Sequence, residues 1–306
     1  MPAAWPAIPY EEWRETCETL HGHTQVLGKL AVVLAPPEPQ LQHAALRITA
    51  RGWETHLLPA PDGSGALVAA LDLHAHEAVV EHSDGRVRRV PLTPQRAVGE
   101  VTRDVLAAIG ELVGAVEIDP KPQEVDWTLP LDEDTEHATY QPDRVAGYLA
   151  AATRVALVLA ELRAPYRGRS TQVNAWWGSF DIAVSLFSGR PADPPSRDFI
   201  MRNSMDAQEV ALGWWPGYAR YPKPAFYAYA HPSPPELAEE ALPPEPAHWN
   251  ADLGLFLLDW ADVVAASDPH GVSLEFLRSF VSRACLVCEW DPALDASVRG
   301  DPPPVS

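Results

Sequence analysis

The sequence predicts an α+β protein built from two antiparallel β-sheet halves, each followed by a covering helix. Three observations support this fold class. Short β-rich segments occur in both halves of the chain. Asp84-Gly85 sits between two such segments and is typical of a two-residue hairpin turn. A helical pattern with apolar residues three and four apart then follows each group of strands. The shared plan suggests a pseudo-duplication.

The first group of predicted strands fills the N-terminal half. GKLAVVLAP, residues 28 to 36, is rich in β-branched residues and ends at a proline pair, so it predicts a strand. ALRITAR, residues 45 to 51, alternates between apolar and polar side chains. ALVAALDLH, HEAVVEH and the return segment RVRRVPL complete the group. A long helix is predicted from about Pro94.

The chain divides into three parts on this basis. Residues 1–118 form the N-terminal sheet-plus-helix half, and residues 119–142 form a linker rich in Pro, Asp and Glu. Residues 143–306 form a helix-sheet-helix half that carries a predicted pocket. Its strands are expected at about 172 to 187, 207 to 215, 225 to 231 and 253 to 259, between helices near 142 to 162 and 271 to 288.

Composition excludes some classes of function. The formal net charge of −19 disfavours nucleic-acid and anionic-membrane binding, since both need a basic surface. No transmembrane run or secretory signal is recognised, so we expect a cytoplasmic protein. Cys17, Cys285 and Cys288 are an odd set, which makes a disulfide framework unexpected. No nucleotide-binding motif occurs, and no cofactor is expected.

The stretch WWGSFDIAVSLFSGRP, residues 176 to 191, gives the main functional hypothesis. If it is one strand, Trp177, Ser179 and Asp181 share a face, because alternate side chains point to opposite sides. Short polar residues beside one indole are unusual on a solvent-facing strand. They predict a pocket that contains the carboxylate of Asp181.

Two neighbouring strands repeat this pattern. Glu209 and Trp215 share one face of AQEVALGWW, and Tyr227, Tyr229 and His231 share one face of AFYAYAH. If these faces meet, they form an aromatic cavity with a few polar groups, which is typical of a small-molecule site. Asn174 and Arg202 complete the predicted substrate-binding set, together with Trp177, Ser179, Trp215, Tyr227 and Tyr229.

Other interpretations of these residues stay open. Strand aromatics are often core residues, and buried carboxylates often belong to structural ion pairs. DEDTEHATY offers His137 and the carboxylates of Asp132, Asp134 and Glu136 to a metal ion, but acids before a helix also favour the helix dipole. We therefore expect no metal site and treat His137 as a second candidate acid–base histidine. LHGHTQVLGK contains His21, His23, Gln25 and Lys29 as a further polar group.

Several of these motifs resemble a family described as a domain of unknown function, number 5996. They are WWGSFDIAVSLFSGRP, GWWPG, FYAYAHP, DEDTEHATY, TQVLGKLAVVLAPP and ITARGW. The resemblance implies a bacterial source but no activity. Asn174 and Gln208 stand where the family pattern often has histidine, and near PEPQLQHAAL only His43 matches its His- and Trp-rich pattern.

The leading functional hypothesis is an enzyme that acts on an apolar or aromatic small molecule without a cofactor. Asp181 or Glu209 would be the acid–base group, with His231 or His137 assisting. The Ala- and Pro-rich composition favours a role in bacterial specialised metabolism. One alternative is a non-catalytic binding module that uses the same cavity. Another is an interaction protein with an exposed aromatic patch, which would favour a homodimer.

Overall fold

The computed structural model describes residues 4–300 as a mixture of α-helices and antiparallel β-strands. This confirms the α+β fold class. The described residues form two compact units. The N-terminal unit contains residues 11–150 and 174–181, and the C-terminal unit contains residues 4–10, 151–173 and 182–300.

Seven helices are present in the described residues: α1 Tyr10–Leu34, α2 Val98–Val113, α3 Pro142–Arg163, α4 Phe199–Ser204, α5 Trp260–Ala265, α6 Pro269–Val287 and α7 Pro292–Arg299. Strands of the first half are β1 Leu46–Thr49, β2 Gly52–Glu54, β3 Leu58–Pro59, β4 Ala66–Asp72, β5 Glu77–His82 and β6 Val87–Pro91. Later strands are β7 Asn174–Trp176, β8 Asp181–Pro191, β9 Ala207–Trp215, β10 Ala225–His231, β11 His248–Asn250 and β12 Leu255–Asp259.

In the N-terminal unit the hydrogen-bonded strand order is β7-β1-β2-β4-β5-β6, with β3 beside β4. The predicted Asp84-Gly85 hairpin joins β5 to β6. Strand β7 pairs with β1 through Leu46 opposite Ala175, so this sheet takes a strand from the second half of the chain. Two sheets made separately by the two halves are therefore not confirmed, and neither is a duplication.

The C-terminal unit has the strand order β11-β12-β10-β9-β8, and every neighbouring pair is antiparallel. Strands β9 and β10 have the bounds that their alternating sequences predict. Long helix α6 packs on this sheet with its apolar stripe, which includes Phe276, Phe280 and Ala284, fully buried. The predicted covering helix is therefore present here.

The predicted strand at residues 28–36 is wrong. Residues up to Leu34 belong to α1, a helix of 25 residues. Its buried side chains Val26, Leu27, Leu30 and Ala31 recur at helical spacing, which buries a continuous stripe. That tertiary stripe outweighs the preference of β-branched residues for strands.

The predicted strand at residues 172 to 187 is also wrong in its middle. Residues 177–180 form a turn between β7 and β8, and Phe180 has a φ of +55°. A left-handed backbone at a non-glycine residue reverses the chain direction. Simple alternation predicts that Trp177 and Ser179 share a strand face with Asp181. The turn removes this arrangement, because Trp177 and Ser179 lie outside the strands.

Helix α3 is the one described helix that is long and apolar enough to cross a membrane, with a mean hydropathy of 1.6. Half of its apolar window is buried inside the structure. Core helices of globular proteins have the same length and composition.

Candidate functional site

The predicted face of the C-terminal sheet is present on three adjacent strands. Glu209 on β9 lies directly opposite Phe187 on one side and His231 on the other. Ala211 is likewise opposite Tyr229. Residues directly opposite in antiparallel strands share a face, so the structure brings together Glu209, Tyr227, Tyr229 and His231 as predicted.

Glu209 is the buried acid of this face, with 3% of its surface exposed. Burial raises the pKa of its carboxyl group to about 7, although a hydrogen bond with Ser185 and the positive charge of Arg169 act in the opposite direction. The Arg169 guanidinium lies 3.8 Å from the centre of the Phe187 ring. A carboxyl group with a pKa near neutrality can both give and accept a proton at physiological pH.

His231 stands at the end of β10 and is half-buried. Its Nε2 atom lies 2.9 Å from the backbone oxygen of Asp193, so Nε2 carries the proton and donates it to that carbonyl. The Glu209 carboxyl and the His231 imidazole are thus neighbours across the sheet.

Three of the predicted substrate-binding residues, Trp215, Tyr227 and Tyr229, stack on one another beside this pair. The rings of Trp215 and Tyr227 are 4.9 Å apart and nearly parallel, and those of Tyr227 and Tyr229 are 6.1 Å apart. A methyl group on Gly213 would lie only 2.4 Å from the Tyr227 ring. The Tyr227 ring therefore fills the space above Gly213, and only a residue without a side chain fits at this position.

The remaining predicted residues lie elsewhere in the chain. Arg202 is exposed on the short helix α4. Asn174, Trp177, Ser179, Asp181 and His137 belong to the N-terminal unit. The predicted set is therefore divided between the two compact units.

In the N-terminal unit, Asn174 and Ser179 make local polar contacts. The Asn174 side-chain amide donates to Oε1 of Gln42 at 3.0 Å. The Ser179 hydroxyl donates to Oδ1 of Asp181, which is buried. Both predicted residues therefore engage neighbouring side chains.

His137 forms an ion pair with Asp134 in the N-terminal unit, at 2.7 Å between Nδ1 and Oδ2. The other oxygen of Asp134 accepts the backbone N–H groups of Glu136 and His137. Burial raises the pKa of the Asp134 carboxyl, but the hydrogen bonds from His137 outweigh it and hold that pKa below its usual range. Burial lowers the pKa of His137, and Asp134 outweighs it and raises that pKa.

A second histidine lies near this pair. Nε2 of His21 lies 3.0 Å from the backbone oxygens of both Trp177 and Gly178. The Trp127 ring is 5.1 Å from the His21 ring and 4.2 Å from the His137 ring, so it contacts both. Burial lowers the pKa of His21 to about 4, which keeps this imidazole neutral at pH 7.

The sequence alone does not predict the contacts of His21 with Trp127 and with the backbone of residues 177 and 178. His21, Gln25 and Lys29 are four residues apart, a spacing that places side chains on one helix face, and all three are buried. This spacing is the signal that the sequence offers, but a predicted strand from residue 28 places Lys29 outside the helix that carries His21 and Gln25. Within residues 4–300, no three His, Cys, Asp or Glu side chains are arranged to hold a metal ion.

Comparison with models of protein families gave a match over most of the chain. The profile of DUF5996, a family of unknown function, matches residues 5–296. No curated protein sequence and no solved structure matched the chain. Because the matched residues span nearly the whole length, the chain belongs to the DUF5996 family.

Proposed function

We propose that this protein is an enzyme that transfers protons to or from an apolar or aromatic small molecule at the face around Glu209. One observation carries the proposal: a buried carboxyl group with a pKa of about 7 lies beside a histidine on a face with three stacked aromatic rings. Polar groups beside aromatic side chains are typical of small-molecule sites.

Glu209 is the acid–base group in this proposal. Its protonated and ionised forms are similarly populated near pH 7, which suits a general acid or base. Ser185 orients the carboxyl group by its hydrogen bond, and Arg169 favours the ionised form after proton release. His231 assists from the opposite strand, with its ring oriented by the Asp193 carbonyl.

The aromatic row defines the class of substrate. The rings of Trp215 and Tyr227 are buried in this row and that of Tyr229 is partly exposed, and their parallel packing favours an aromatic or apolar partner. Burial of a charged group against apolar ring surface costs hydration, so these rings favour an uncharged molecule. We therefore assign an uncharged organic molecule whose reacting proton is on carbon, nitrogen or oxygen.

Deuterium exchange tests this function for any reaction that moves a proton at carbon. Compounds that raise the melting temperature of the purified protein are selected from a library of uncharged aromatic molecules, then incubated with it in D₂O. Mass spectrometry measures deuterium incorporation at carbon and any conversion. We expect at least one binder to exchange or react, and Glu209→Gln to slow that reaction by about 100-fold or more.

Glu239→Gln is the matched control, because Glu239 is an exposed carboxylate in the same unit. It should leave the rate unchanged. A reaction that proceeds equally in Glu209→Gln would contradict the assignment of Glu209. Binders that neither exchange nor convert would instead support a non-catalytic binding module.

The wider setting is part of the same proposal. The net charge of −19 supports a small-molecule ligand over a nucleic acid or an anionic membrane surface. A cytoplasmic location, a bacterial source, a role in specialised metabolism and the formation of a homodimer are proposals that rest on composition and resemblance.

A further inference from the structure

The N-terminal unit contains a buried lysine, Lys29, on the helix α1. Only 4% of its surface is exposed. Among residues 4–300, no carboxylate or carbonyl oxygen lies within hydrogen-bonding distance of its ammonium group. Its Nζ atom instead lies 5.6 Å from the centre of the Trp177 ring. The face of the Trp177 ring offers this ammonium group a cation–π contact, which offsets part of the cost of burying it.

The position of the Trp177 ring is determined by the neighbouring residue of α1. A methyl group on Gly28 would lie 2.0 Å from the Trp177 ring, so the ring rests directly on the helix backbone there. The same turn is held at its backbone by His21, whose Nε2 lies 3.0 Å from the Trp177 oxygen. Lys29 is therefore adjacent to a fixed aromatic surface.

Gln25, one helical turn before Lys29, binds a second segment. Its side-chain amide donates to the backbone oxygen of Gln123 at 3.0 Å and accepts the Gln123 N–H at 2.8 Å. This double contact holds the segment that also contains Asp119 and Lys121. Asp119 and Lys121, whose charges act on the Lys29 amine, therefore belong to a segment that is fixed to α1.

The surroundings of Lys29 favour its neutral form. Burial lowers the pKa of the Lys29 amine to about 8, while Asp119 raises it and Lys121 lowers it further. The neutral amine is then roughly 300-fold more abundant at pH 7 than for an exposed lysine. Desolvation of this kind is one of the ways in which enzymes activate lysine as a nucleophile.

We propose that Lys29 is a carbonyl-reactive amine that forms an imine with an aldehyde or ketone bearing an apolar or aromatic group. The Nζ lone pair attacks the carbonyl carbon, and one proton passes from Nζ through solvent to the carbonyl oxygen to give a neutral carbinolamine. Loss of the nitrogen proton and of the hydroxyl group as water completes the imine. The Trp177 ring contacts the apolar part of the bound molecule. This proposal is independent of Glu209, which belongs to the other compact unit.

The chain is well suited to a labelling test because it contains only three lysines, Lys29, Lys121 and Lys223. The folded protein is incubated at pH 7 with benzaldehyde and sodium cyanoborohydride, which reduces any imine to a stable amine. Peptide mass spectrometry then measures the labelling rate at each lysine. We expect Lys29 to react at least tenfold faster than Lys223, whose ammonium is exposed and paired with Asp259.

Two controls separate this outcome from simple burial. Labelling in urea gives the intrinsic rate at each site, and the labelling rate of Lys29 in the folded protein should rise with pH to a midpoint near 8. Lys29→Arg keeps the positive charge beside Trp177 and should remove the fast label while retaining the melting temperature. If that variant does not fold, the wild-type rates still decide. A labelling rate of Lys29 that is less than tenfold that of Lys223 in the folded protein would overturn the proposal.

Discussion

The two compact units each contain a buried acid near a histidine, but the two pairs differ in geometry. In the N-terminal unit, Asp134 and His137 are in direct contact at 2.7 Å, and each stabilises the charged form of the other. In the C-terminal unit, Glu209 and His231 are opposite each other across two strands, and His231 donates to the Asp193 carbonyl. Burial keeps the Glu209 pKa at about 7.

This difference separates a pair that holds structure from a group that can exchange protons. Asp134 also accepts two backbone N–H groups, so its negative charge is fixed by three donors. A carboxylate fixed in this way has little tendency to take up a proton near pH 7. Glu209 has fewer stabilising contacts and changes protonation in the physiological range, which is the property a general acid–base group needs.

Removal of the Asp134 carboxylate should give the largest loss of stability. Asp134→Ala leaves two backbone N–H groups and the half-buried His137 without their acceptor, and we expect it to lower the free energy of unfolding by about 3 kcal/mol. Urea denaturation measures the change. Glu133→Ala removes an exposed neighbouring carboxylate and should cost less than about 0.5 kcal/mol.

The pH dependence of the stability lost in Asp134→Ala follows from the directions in which the pKa values of Asp134 and His137 are shifted. The Asp134 pKa is lowered, so its contribution is present above about pH 3.9 and is lost as the pH falls through the folded-state pKa. The His137 pKa is raised, so its contribution is present below about pH 6.5 and is lost as the pH rises through the folded-state pKa. The cost of Asp134→Ala should therefore be greatest between these limits. A cost that is equal at pH 5 and pH 9 would argue against the ion pair.

Glu209 should lower the stability of the wild type as the pH rises, because the fold favours its protonated form. Its folded-state pKa of about 7 lies above the unfolded value, so the protonated carboxyl stabilises the fold below about pH 4.3, and this contribution is lost between there and pH 7. We expect the wild type to lose about 3 kcal/mol across that interval relative to Glu209→Gln, whose side chain stays neutral. Urea denaturation from pH 4 to pH 8 measures the difference. Parallel stability curves for the two proteins would contradict a raised pKa.

His231 should give the smallest effect of the three. Its ring is half-buried and its described contact is one hydrogen bond to a backbone oxygen, so His231→Ala should cost less than about 1 kcal/mol. His137→Ala should cost about 2 kcal/mol, because it breaks an ionised hydrogen bond with buried Asp134. Thermal unfolding measures both losses of stability. Equal losses in His231→Ala and His137→Ala would contradict the distinction between the Asp134–His137 ion pair and the Glu209–His231 pair.

The strands around Glu209 could be predicted from sequence because their signals are local. Alternation in AQEVALGWW and AFYAYAH defines β9 and β10, and it places Glu209 and His231 on the correct faces. Their alignment across the sheet depends on the register, which a single sequence does not encode directly. The stacking of Tyr227 over Gly213 likewise requires the register, since these residues are opposite each other on different strands.

The N-terminal unit was harder to predict because its contacts are distant in sequence. Nε2 of His21 contacts the backbone of residues 177 and 178, and Gln25 contacts residue 123. No local pattern identifies such partners. The sequence predicts a strand at residues 28–36 because β-branched residues prefer strands, but in the structure residues 28–34 belong to α1 and their β-branched side chains face partly outward. The φ of +55° at Phe180 breaks a sequence whose alternation predicts a continuous strand.

The most direct test of the central claim is a carboxyl titration by NMR. The side-chain carboxyl carbons of Glu209 and Asp134 are followed from pH 2 to pH 9 in ¹³C-labelled protein, with Glu209→Gln and Asp134→Asn used to assign the two signals. We expect Glu209 to titrate with a midpoint near 7 and Asp134 with a midpoint below about 3.9. A Glu209 midpoint near 4.3 would show an ordinary ionised carboxylate at pH 7 and would contradict its assignment as the acid–base group.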